Sequence, residues 1–424
     1  MRLLDTSTLQ FREFYGSNKP PYAILSHTWT GEEVSFDEIL TPTSGTQQKA
    51  GFSKIKGCCE MAKEQGVSFA WVDSCCIDRR SSAELTEAIN SMYLWYHDAV
   101  ICFVYLVDVP GASTVVNGRK ISLDDQIEAF KKSRWFTRGW TLQELIASSN
   151  RMFLANDWSE ISSPTKCGPM VNIGSLITQI TGIRSDVLRD RNTLSKLCIA
   201  ERMSWQSRRQ TTREEDIAYS LMGIFSVNMP ILYGEGARRA FRRLQDEIMK
   251  SSFDYTIFAW PCPYETSGLL AHSPRYFADI PPLGIWKASI LAPFQMTNAG
   301  LRLKLMLIHH EPPLIPGIVF AILSCDAKTE YGWGNILIRL KSLDDVVCYV
   351  NNRRCRAFRR VGSSGLDFAP FDTFKVTYED VVVLEDEHFD LTKTAIQHYE
   401  TTWAEVKAKG RLDKIMLSDC KIYD

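Results

Sequence analysis

The residues of this chain that are best suited to chemistry lie in the segment SRWFTRGWTLQELIAS, residues 133–148. Trp140 and Glu144 are four positions apart, so on a helix their side chains share one face. The opposite face is apolar and consists of Leu142, Leu145 and Ile146. A carboxylate beside a large aromatic ring, both predicted to lie away from the core, indicates a site.

The same segment also has a purely structural explanation. If the helix begins at Thr141, then Thr141 and Glu144 have the spacing of a capping box, in which each side chain binds a backbone N–H of the first turn. Trp140 and Leu145 then have the positions of a hydrophobic staple. The sequence therefore leaves a catalytic role and a helix-capping role open for Glu144.

Short apolar runs alternate with helical patterns in the first 160 residues. The predicted strands are 22–26, 69–72, 101–107 and 152–154, and the predicted helices include 53–65 and 84–96. This alternation is typical of βαβ units. It predicts an α/β fold with an open parallel sheet and helices on both faces.

Ligands of open parallel sheets bind at the carboxyl ends of the strands. Ser26, His27 and Trp29 lie at the end of the first predicted strand, and Asp73 follows the second. Each has a structural alternative: His27 suits a hydrogen-bonded core histidine, and Asp73 could cap a helix or bind a following arginine. The vicinal Cys75 and Cys76 are expected to be packing residues.

The remaining chain divides into two further regions. Residues 161–254 read as a mostly helical extension, with helices predicted over 214–225 and 236–250. Residues 255–424 are β-rich and predict an accessory or regulatory domain built as a sandwich or barrel. Its strands are predicted over 301–310, 317–325, 335–340 and 374–384.

Composition excludes several classes of function. The 49 basic and 50 acidic residues give a net charge of -1, so no global field attracts nucleic acid. The run Arg238, Arg239, Arg242 and Arg243 is expected to be a solvated helix face. The sequence contains no run long enough to span a bilayer and no signal-peptide pattern, which predicts a cytoplasmic protein without membrane contacts.

Common cofactor motifs are also absent from the sequence. The 12 cysteines include no paired C-x-x-C units, so no zinc or disulfide framework is expected, and neither HExxH nor EF-hand patterns predict another metal site. No phosphate-binding loop or dinucleotide fingerprint occurs. A bound dinucleotide would therefore be a substrate and not a redox cofactor.

Four blocks of the chain resemble the HET domain of fungal heterokaryon incompatibility proteins. In order they are YAILSHTWTGEEVSFDEI, GFSKIKGCCEMAKEQGVSFAWVDSCCIDR, INSMYLWYHDAVICFVYLVDV and FKKSRWFTRGWTLQELIAS. The following segment, which begins at ERMSWQSRRQ, resembles the extension that accompanies many HET domains. The resemblance covers roughly the first 255 residues and implies a role in incompatibility and cell-death signalling.

HET domains are more distantly similar to TIR domains, which have a flavodoxin-like sheet and in several lineages cleave NAD. By this resemblance Glu144 falls on the TIR active-site glutamate and Trp140 on the tryptophan of the same motif. Two departures are Thr141, where many TIR domains have cysteine, and a longer segment near residues 111–126. The resemblance implies a TIR-like sheet and hydrolysis at the nicotinamide–ribose bond.

The roles that this reaction would assign are simple. Glu144 would stabilise an oxocarbenium-like transition state or form a transient adduct, Trp140 or Trp29 would stack on an aromatic ring, and Asp73 would hold a sugar hydroxyl. Ser26 and His27 would meet phosphate. NAD would be the substrate with no further cofactor, and the partners would be further copies of the chain on activation and a protein that senses non-self. The alternative is a non-catalytic, self-assembling signalling module.

Overall fold

A computed structural model gives the fold. It describes residues 1–16, 18–111, 113–116, 119–161, 173–264, 266–285, 293–298, 300–309, 315–329, 332–343, 348–350, 353–362, 366–369 and 375–385. The chain forms two compact units. The first consists of residues Met1–Lys196 and Arg208–Ala237, and the second of Leu197–Ser207 and Arg238–Asp424. This division falls within the helical segment 161–254. The segment's predicted start, at 161–172, lies almost wholly outside the described residues.

A six-stranded mixed sheet forms the centre of the first unit. Its strands are β1 (Arg2–Asp5), β2 (Phe11–Glu13), β3 (Ala23–His27), β4 (Phe69–Trp71) and β5 (Ile101–Tyr105), together with β8 (Arg151–Leu154), which follows a two-stranded hairpin of β6 (Val115–Val116) and β7 (Arg119–Lys120). The order across the sheet is β2-β1-β4-β3-β5-β8. Strands β4, β3, β5 and β8 are mutually parallel, whereas β1 and β2 pair antiparallel at one edge. The predicted parallel sheet is confirmed, and the antiparallel edge is an addition.

Nine α-helices precede residue 197 in the described part of the first unit. They are α1 (Phe36–Leu40), α2 (Ser44–Gln48), α3 (Ala50–Glu64), α4 (Asp73–Cys76), α5 (Ser82–Asp98), α6 (Leu123–Lys131), α7 (Thr141–Ala147), α8 (Ile173–Thr181) and α9 (Ser185–Arg189) before residue 197. Two 3-10 helices cover Arg134–Thr137 and Arg191–Lys196. The predicted helices at 53–65 and 84–96 correspond to α3 and α5, each slightly longer than expected.

The crossovers explain how helices reach both sides of the sheet. The chain passes from β3 to β4 in one direction through α3, and then from β4 to β5 in the opposite direction through α5. Right-handed crossovers in opposite directions place their helices on opposite faces. The central strands β3 and β5 are buried along their whole length, as expected for strands covered on both sides.

The segment that follows Arg208 differs from the prediction. The continuous helix expected over 214–225 is wrong, because the structure has two short helices, labelled α11 (Asp216–Tyr219) and α12 (Met222–Phe225) after the second unit's α10 (Ile199–Ser204). Ser226 ends α12 in a left-handed conformation at φ 56°. Both short helices are largely buried, so packing and not local propensity maintains them.

The second unit contains a closed β-barrel. Its helices are α10, α13 (Ala237–Met249) and two 3-10 helices, Tyr255–Phe258 and Pro274–Phe277. Its strands are β9 (Thr266–Ser267), β10 (Leu283–Ile285), β11 (Gln295–Thr297), β12 (Gly300–His309), β13 (Ile318–Thr329), β14 (Gly332–Ser342), β15 (Cys348–Val350), β16 (Arg353–Val361), β17 (Asp367–Ala369) and β18 (Lys375–Val383). Strands β12, β13, β14, β16 and β18 pair in a ring. The β-rich prediction is confirmed as a barrel.

Among the described residues, no helix combines the length and the apolar character needed to cross a lipid bilayer.

Candidate functional site

Glu144 lies at the carboxyl end of the central strand β3. Its carboxylate accepts a short hydrogen bond from the hydroxyl of Ser26, the penultimate residue of that strand. The indole N–H of Trp135 donates to the same Ser26 oxygen at 2.8 Å. Because an indole nitrogen can only donate, the Ser26 proton is left to point at Glu144. The three side chains form one directed chain of hydrogen bonds.

Burial changes the acid strength of this carboxyl group. Glu144 is 6% exposed, and Ser26 and Trp135 are fully buried. Loss of hydration is the largest effect and raises the pKa of Glu144 to about 8, opposed by the Ser26 hydrogen bond and reinforced by the negative charge of Asp73. Glu144 is therefore mostly protonated at neutral pH in the free protein. A shift of this kind is common at functional sites.

The capping-box explanation of Glu144 is wrong. Helix α7 begins at Thr141, so Trp140 and not Thr141 is its N-cap, and no side chain caps the first turn. The Thr141 hydroxyl is within donating distance of the backbone carbonyls of Trp135 and Arg138, and it accepts a hydrogen bond from the guanidinium of Arg209. The Glu144 carboxylate is thus free of a capping role.

The expectation that Glu144 faces away from the core is also wrong. Every residue of α7 is buried, because the helix is enclosed by the sheet and by neighbouring segments on all sides. The apolar stripe of Leu142, Leu145 and Ile146 correctly indicates one packed face, but helical periodicity alone does not show that the other face is packed too. What distinguishes Glu144 is a buried polar contact with β3.

A second carboxylate lies close to Glu144. One oxygen of Asp73 is 3.0 Å from Nε2 of His27, and the other accepts the indole N–H of Trp29 at 2.9 Å. Burial alone would raise the pKa of Asp73, but the His27 hydrogen bond and nearby positive charges outweigh it and hold that pKa below its ordinary value. Asp73 is therefore ionised at neutral pH, with 20% of its side chain exposed.

A buried ion pair between Lys54 and Glu33 orients the His27 ring through its second ring nitrogen. The ammonium group of Lys54 binds Glu33 and the carbonyl of Thr28, and it lies 3.4 Å from Nδ1 of His27. Because an ammonium group only donates, Nδ1 is the acceptor and Nε2 carries the proton that is donated to Asp73. Both ring nitrogens of His27 are therefore engaged, which suits a positioning residue.

Trp140 makes a different contact from Glu144. Its indole N–H donates to Asp216 at 3.0 Å, and the hydroxyl of Tyr233 donates to the other oxygen of the same carboxylate at 2.9 Å. Both rings are half-buried. The predicted site residues thus divide into two groups, with Ser26, His27, Trp29, Asp73 and Glu144 around the end of β3 and Trp140 beside Asp216.

Sequence reasoning did not assign several residues that the fold brings to the site. The guanidinium of Arg79 stacks on Trp29, with its central carbon 4.0 Å from the ring centroid. Asp216 and Tyr233 come from the segment after Arg208, where no local motif marks them. The sequence signal for Arg79 is its place in the run IDRR, residues 77–80, a few positions beyond the end of the second strand. Its neighbour Arg80 is bound to Asp78 and Asp37, so Arg79 alone faces Trp29.

A glycine turn fixes Tyr233. Gly234 and Gly236 have φ values of 97° and 84°, and their N–H groups both donate to one carboxylate oxygen of Glu215. Residues that carry a Cβ rarely adopt such backbone angles, so glycine is required for this turn. The turn and Asp216 together set the position of the Tyr233 ring.

Cys75, Cys76 and Trp71 lie close to Asp73 in the sequence but are packing residues. Cys75 and Cys76 are buried, and burial raises the pKa of the Cys75 thiol well above its ordinary value. Trp71 is fully buried between Trp95 and Tyr96. Within the described residues, no group of three or more histidine, cysteine or acidic side chains could hold a metal ion.

Comparison with known families adds to this geometry. Residues 22–121 match the family described as "Heterokaryon incompatibility protein (HET)". This part of the chain is therefore similar to the HET domain. The matched range contains Ser26, His27, Trp29, Asp73 and Arg79, whereas Glu144 lies beyond its end. Residues 239–281 match a second family, described as a domain of unknown function (DUF8212).

A curated relative extends the similarity past the HET domain. The chain is 45% identical over 234 residues to vegetative incompatibility protein HET-E-1 of Podospora anserina. This covers 54% of the chain but only 16% of the relative. No solved structure matches the chain.

Proposed function

We propose that this chain acts in heterokaryon incompatibility by hydrolysing NAD at the nicotinamide–ribose bond. The role in incompatibility is supported by the HET domain and by the relative's name, although the chain spans a sixth of that relative at most. The observation that carries the enzymatic proposal is the buried carboxylate of Glu144 at the carboxyl end of β3, held by Ser26 and close to the ionised Asp73.

The order of the parallel strands supports a TIR-like, flavodoxin-type sheet. In chain order these strands are β3, β4, β5 and β8, and across the sheet they are arranged second, first, third, fourth. Flavodoxin-like sheets begin with this order and bind ligands where it reverses, beside the first strand. Glu144, Ser26 and Asp73 all lie near that point.

The chemistry needs little from the protein. Nicotinamide leaves as a neutral molecule from a cationic precursor, and positive charge develops on the ribose carbon and ring oxygen. The Glu144 carboxylate would stabilise that charge, and water would add to the ribose carbon. The products are nicotinamide, ADP-ribose and one proton. A cationic substrate beside Glu144 would also favour its ionised form, which counters the effect of burial.

The remaining site residues would bind and orient the substrate. The Trp29 side chain is half-buried and lies beside the carboxyl ends of the strands. The side chain of Asp73 next to it is 20% exposed. Asp73 would accept a hydrogen bond from a ribose hydroxyl. His27 would act through Asp73, since both of its nitrogens are already bonded. Further copies of the chain would complete the assembly on activation in the cytoplasm, after a partner protein senses non-self.

One observation favours a second function, a non-catalytic signalling module that self-assembles. Glu144 is only 6% exposed and its carboxylate already has a protein partner. A carboxyl group of that kind can serve packing alone. In this case substitution of Glu144 would change stability and assembly, and NAD would not be consumed.

Release of nicotinamide tests the proposal. Purified protein is incubated with NAD at low and high protein concentration, and free nicotinamide is measured by chromatography. We expect release that increases with assembly and is lost in Glu144→Gln. Absence of release from the assembled wild-type protein would leave the signalling module as the function.

A further inference from the structure

Two arginine side chains near the site each stack on an aromatic ring that donates a hydrogen bond to an aspartate. In the first group, Asp73 accepts the indole N–H of Trp29, and the guanidinium of Arg79 lies 4.0 Å from the Trp29 ring centroid. The carboxylate fixes the ring, and the ring supports the guanidinium. A stacked guanidinium keeps its N–H groups in the plane of the stack, where they can meet a ligand edge-on.

A second group of residues, also in the first structural unit, repeats the arrangement. Asp216 accepts the hydroxyl of Tyr233, and the guanidinium of Arg213 lies 3.9 Å from the Tyr233 ring centroid. The glycine turn that follows Tyr233 in the chain is bound by Glu215. The two groups therefore have the same arrangement, although more than a hundred positions of the chain separate Arg79 from Arg213.

Both arginines keep their donors available. All four carboxylate oxygens of Asp73 and Asp216 are already occupied by His27, Trp29, Trp140 and Tyr233. Within the part of the chain that the structure describes, neither guanidinium makes a hydrogen bond or ion pair to a protein group. Both side chains are exposed. Each therefore has N–H donors that no acceptor among the described residues satisfies.

Both groups are connected to helix α7. Asp216 accepts a hydrogen bond from Trp140, the N-cap of that helix, and Glu144 of the same helix lies near Asp73. Burial lowers the pKa of Arg79, the charges of Asp73 and Asp216 act against this shift, and the charge of Arg213 adds to it, so all three groups lie within electrostatic range of Arg79. Two cations held near each other by rings, without a carboxylate bonded between them, are suited to bind a ligand that carries two linked negative groups. Guanidinium groups match the oxygen atoms of phosphate with paired hydrogen bonds.

We propose that Arg79 and Arg213 together bind the pyrophosphate of a nucleoside diphosphate, and in particular that of the dinucleotide substrate. The identity of the full ligand rests on the proposed hydrolysis of NAD, whereas recognition of the diphosphate does not. The pyrophosphate lies at the two arginines, which leaves the attached ribose to reach Asp73 and Glu144. Since Asp73 and Asp216 balance the two cations, affinity depends on direct hydrogen bonds and not on a long-range field.

Calorimetric titration with ADP and with adenosine tests this assignment in the full chain. The variants are Arg79→Ala, Arg213→Ala and Arg79→Lys, each checked by thermal unfolding. Arg80→Ala is the matched control, because Arg80 is also an exposed arginine but is bonded to Asp37 and Asp78. Arg79→Lys keeps the charge and loses the planar donors, so it reports on the proposal without removing the cation.

We expect Arg79→Ala and Arg213→Ala each to weaken ADP binding by about tenfold or more, and Arg79→Lys to recover little of that loss. Adenosine binding and the Arg80→Ala control should change by less than about twofold. Equal ADP affinity in wild type and both alanine variants would overturn the proposal. So would wild-type protein that binds ADP no better than adenosine.

The same variants separate this inference from the proposed hydrolysis. If the arginine variants lose ADP binding but the wild type releases no nicotinamide from NAD, the diphosphate site stands and the hydrolysis is rejected. If NAD is hydrolysed and both alanine variants keep the wild-type KM, the hydrolysis stands and the diphosphate site is rejected.

Discussion

The hydroxyl of Ser26 donates a hydrogen bond to the carboxylate of Glu144, although 118 positions separate the two residues in the chain. Trp135 fixes the direction of this bond by donating its indole N–H to the same hydroxyl. The contact connects α7 to the end of the central strand β3. It also places a carboxyl group with a strongly raised pKa at the edge of the sheet where parallel α/β folds bind ligands.

Replacing Glu144 by glutamine should abolish NAD hydrolysis, with a loss of about a hundredfold or more in kcat. The amide can still accept the Ser26 hydrogen bond, so the fold should remain while the negative charge is lost. Nicotinamide release measured by chromatography checks this. Glu87→Gln, an exposed change on α5, is the control and should keep the wild-type rate. Equal rates for Glu144→Gln and wild type would reject a catalytic Glu144.

The activity of the wild-type protein should increase with pH. The free protein holds Glu144 mostly protonated below about 8, and the proposed reaction uses its ionised form. The pH profile of kcat/KM, which reports on the free enzyme, should therefore rise through about pH 8 and then level off. A profile that falls across this range would instead indicate that the protonated carboxyl group is the active form.

Stability should decrease with pH because of the same group. Folding raises the pKa of Glu144 from 4.5 to about 8, so between these values the folded protein binds a proton that the unfolded chain does not. The stabilisation is complete below about pH 4.5 and is lost as pH rises to about 8, at up to about 1.4 kcal/mol per pH unit. Urea unfolding of wild type and Glu144→Gln at pH 5, 6, 7 and 8 measures it. Parallel curves for the two proteins would contradict the assignment.

Ser26→Ala and Asp73→Asn should move the pH profile in opposite directions. The Ser26 hydrogen bond lowers the pKa of Glu144, so its removal should shift the rising limb to higher pH. The charge of Asp73 raises that pKa, so Asp73→Asn should shift the limb to lower pH. Each variant also leaves a donor without its acceptor, at a cost of about 1–3 kcal/mol in stability.

The profiles of kcat/KM against pH for these two variants check the result. Ser82→Ala, an exposed serine at the start of α5, should leave the limb in place. Limbs that shift in the same direction, or that do not shift, would show that Glu144 does not control the rate.

Gly234→Ala should destabilise the turn that holds Tyr233. The residue has φ 97°, and no atom lies within 4 Å of an added Cβ, so the cost comes from backbone strain alone. We expect a loss of about 1–3 kcal/mol in the free energy of unfolding. Gly31→Ala, which also meets no atom within 4 Å and has no left-handed backbone, should be nearly neutral. Thermal unfolding of both variants measures the difference.

The sequence determined the parallel sheet and the residues at its strand ends. Apolar runs bounded by helical patterns were enough to locate β3, β4, β5 and β8, since buried strands and amphipathic helices differ in period. The carboxyl ends of parallel strands meet at one edge, so Ser26, His27 and Asp73 could be grouped from strand positions alone. The β-rich character of the second unit followed from the same kind of pattern.

Only the tertiary structure decided what those residues do. The capping box at Thr141 and Glu144 has correct spacing, but Thr141 is the first residue of the helix and Trp140 is its N-cap, so the Glu144 carboxylate meets Ser26 instead. Arg79 meets the Trp29 ring and Arg213 meets the Tyr233 ring only because the fold brings segments that are not adjacent in the chain together. Sequence periodicity reports contacts within a turn or a strand, whereas burial, pKa and donor availability depend on long-range packing that periodicity does not contain.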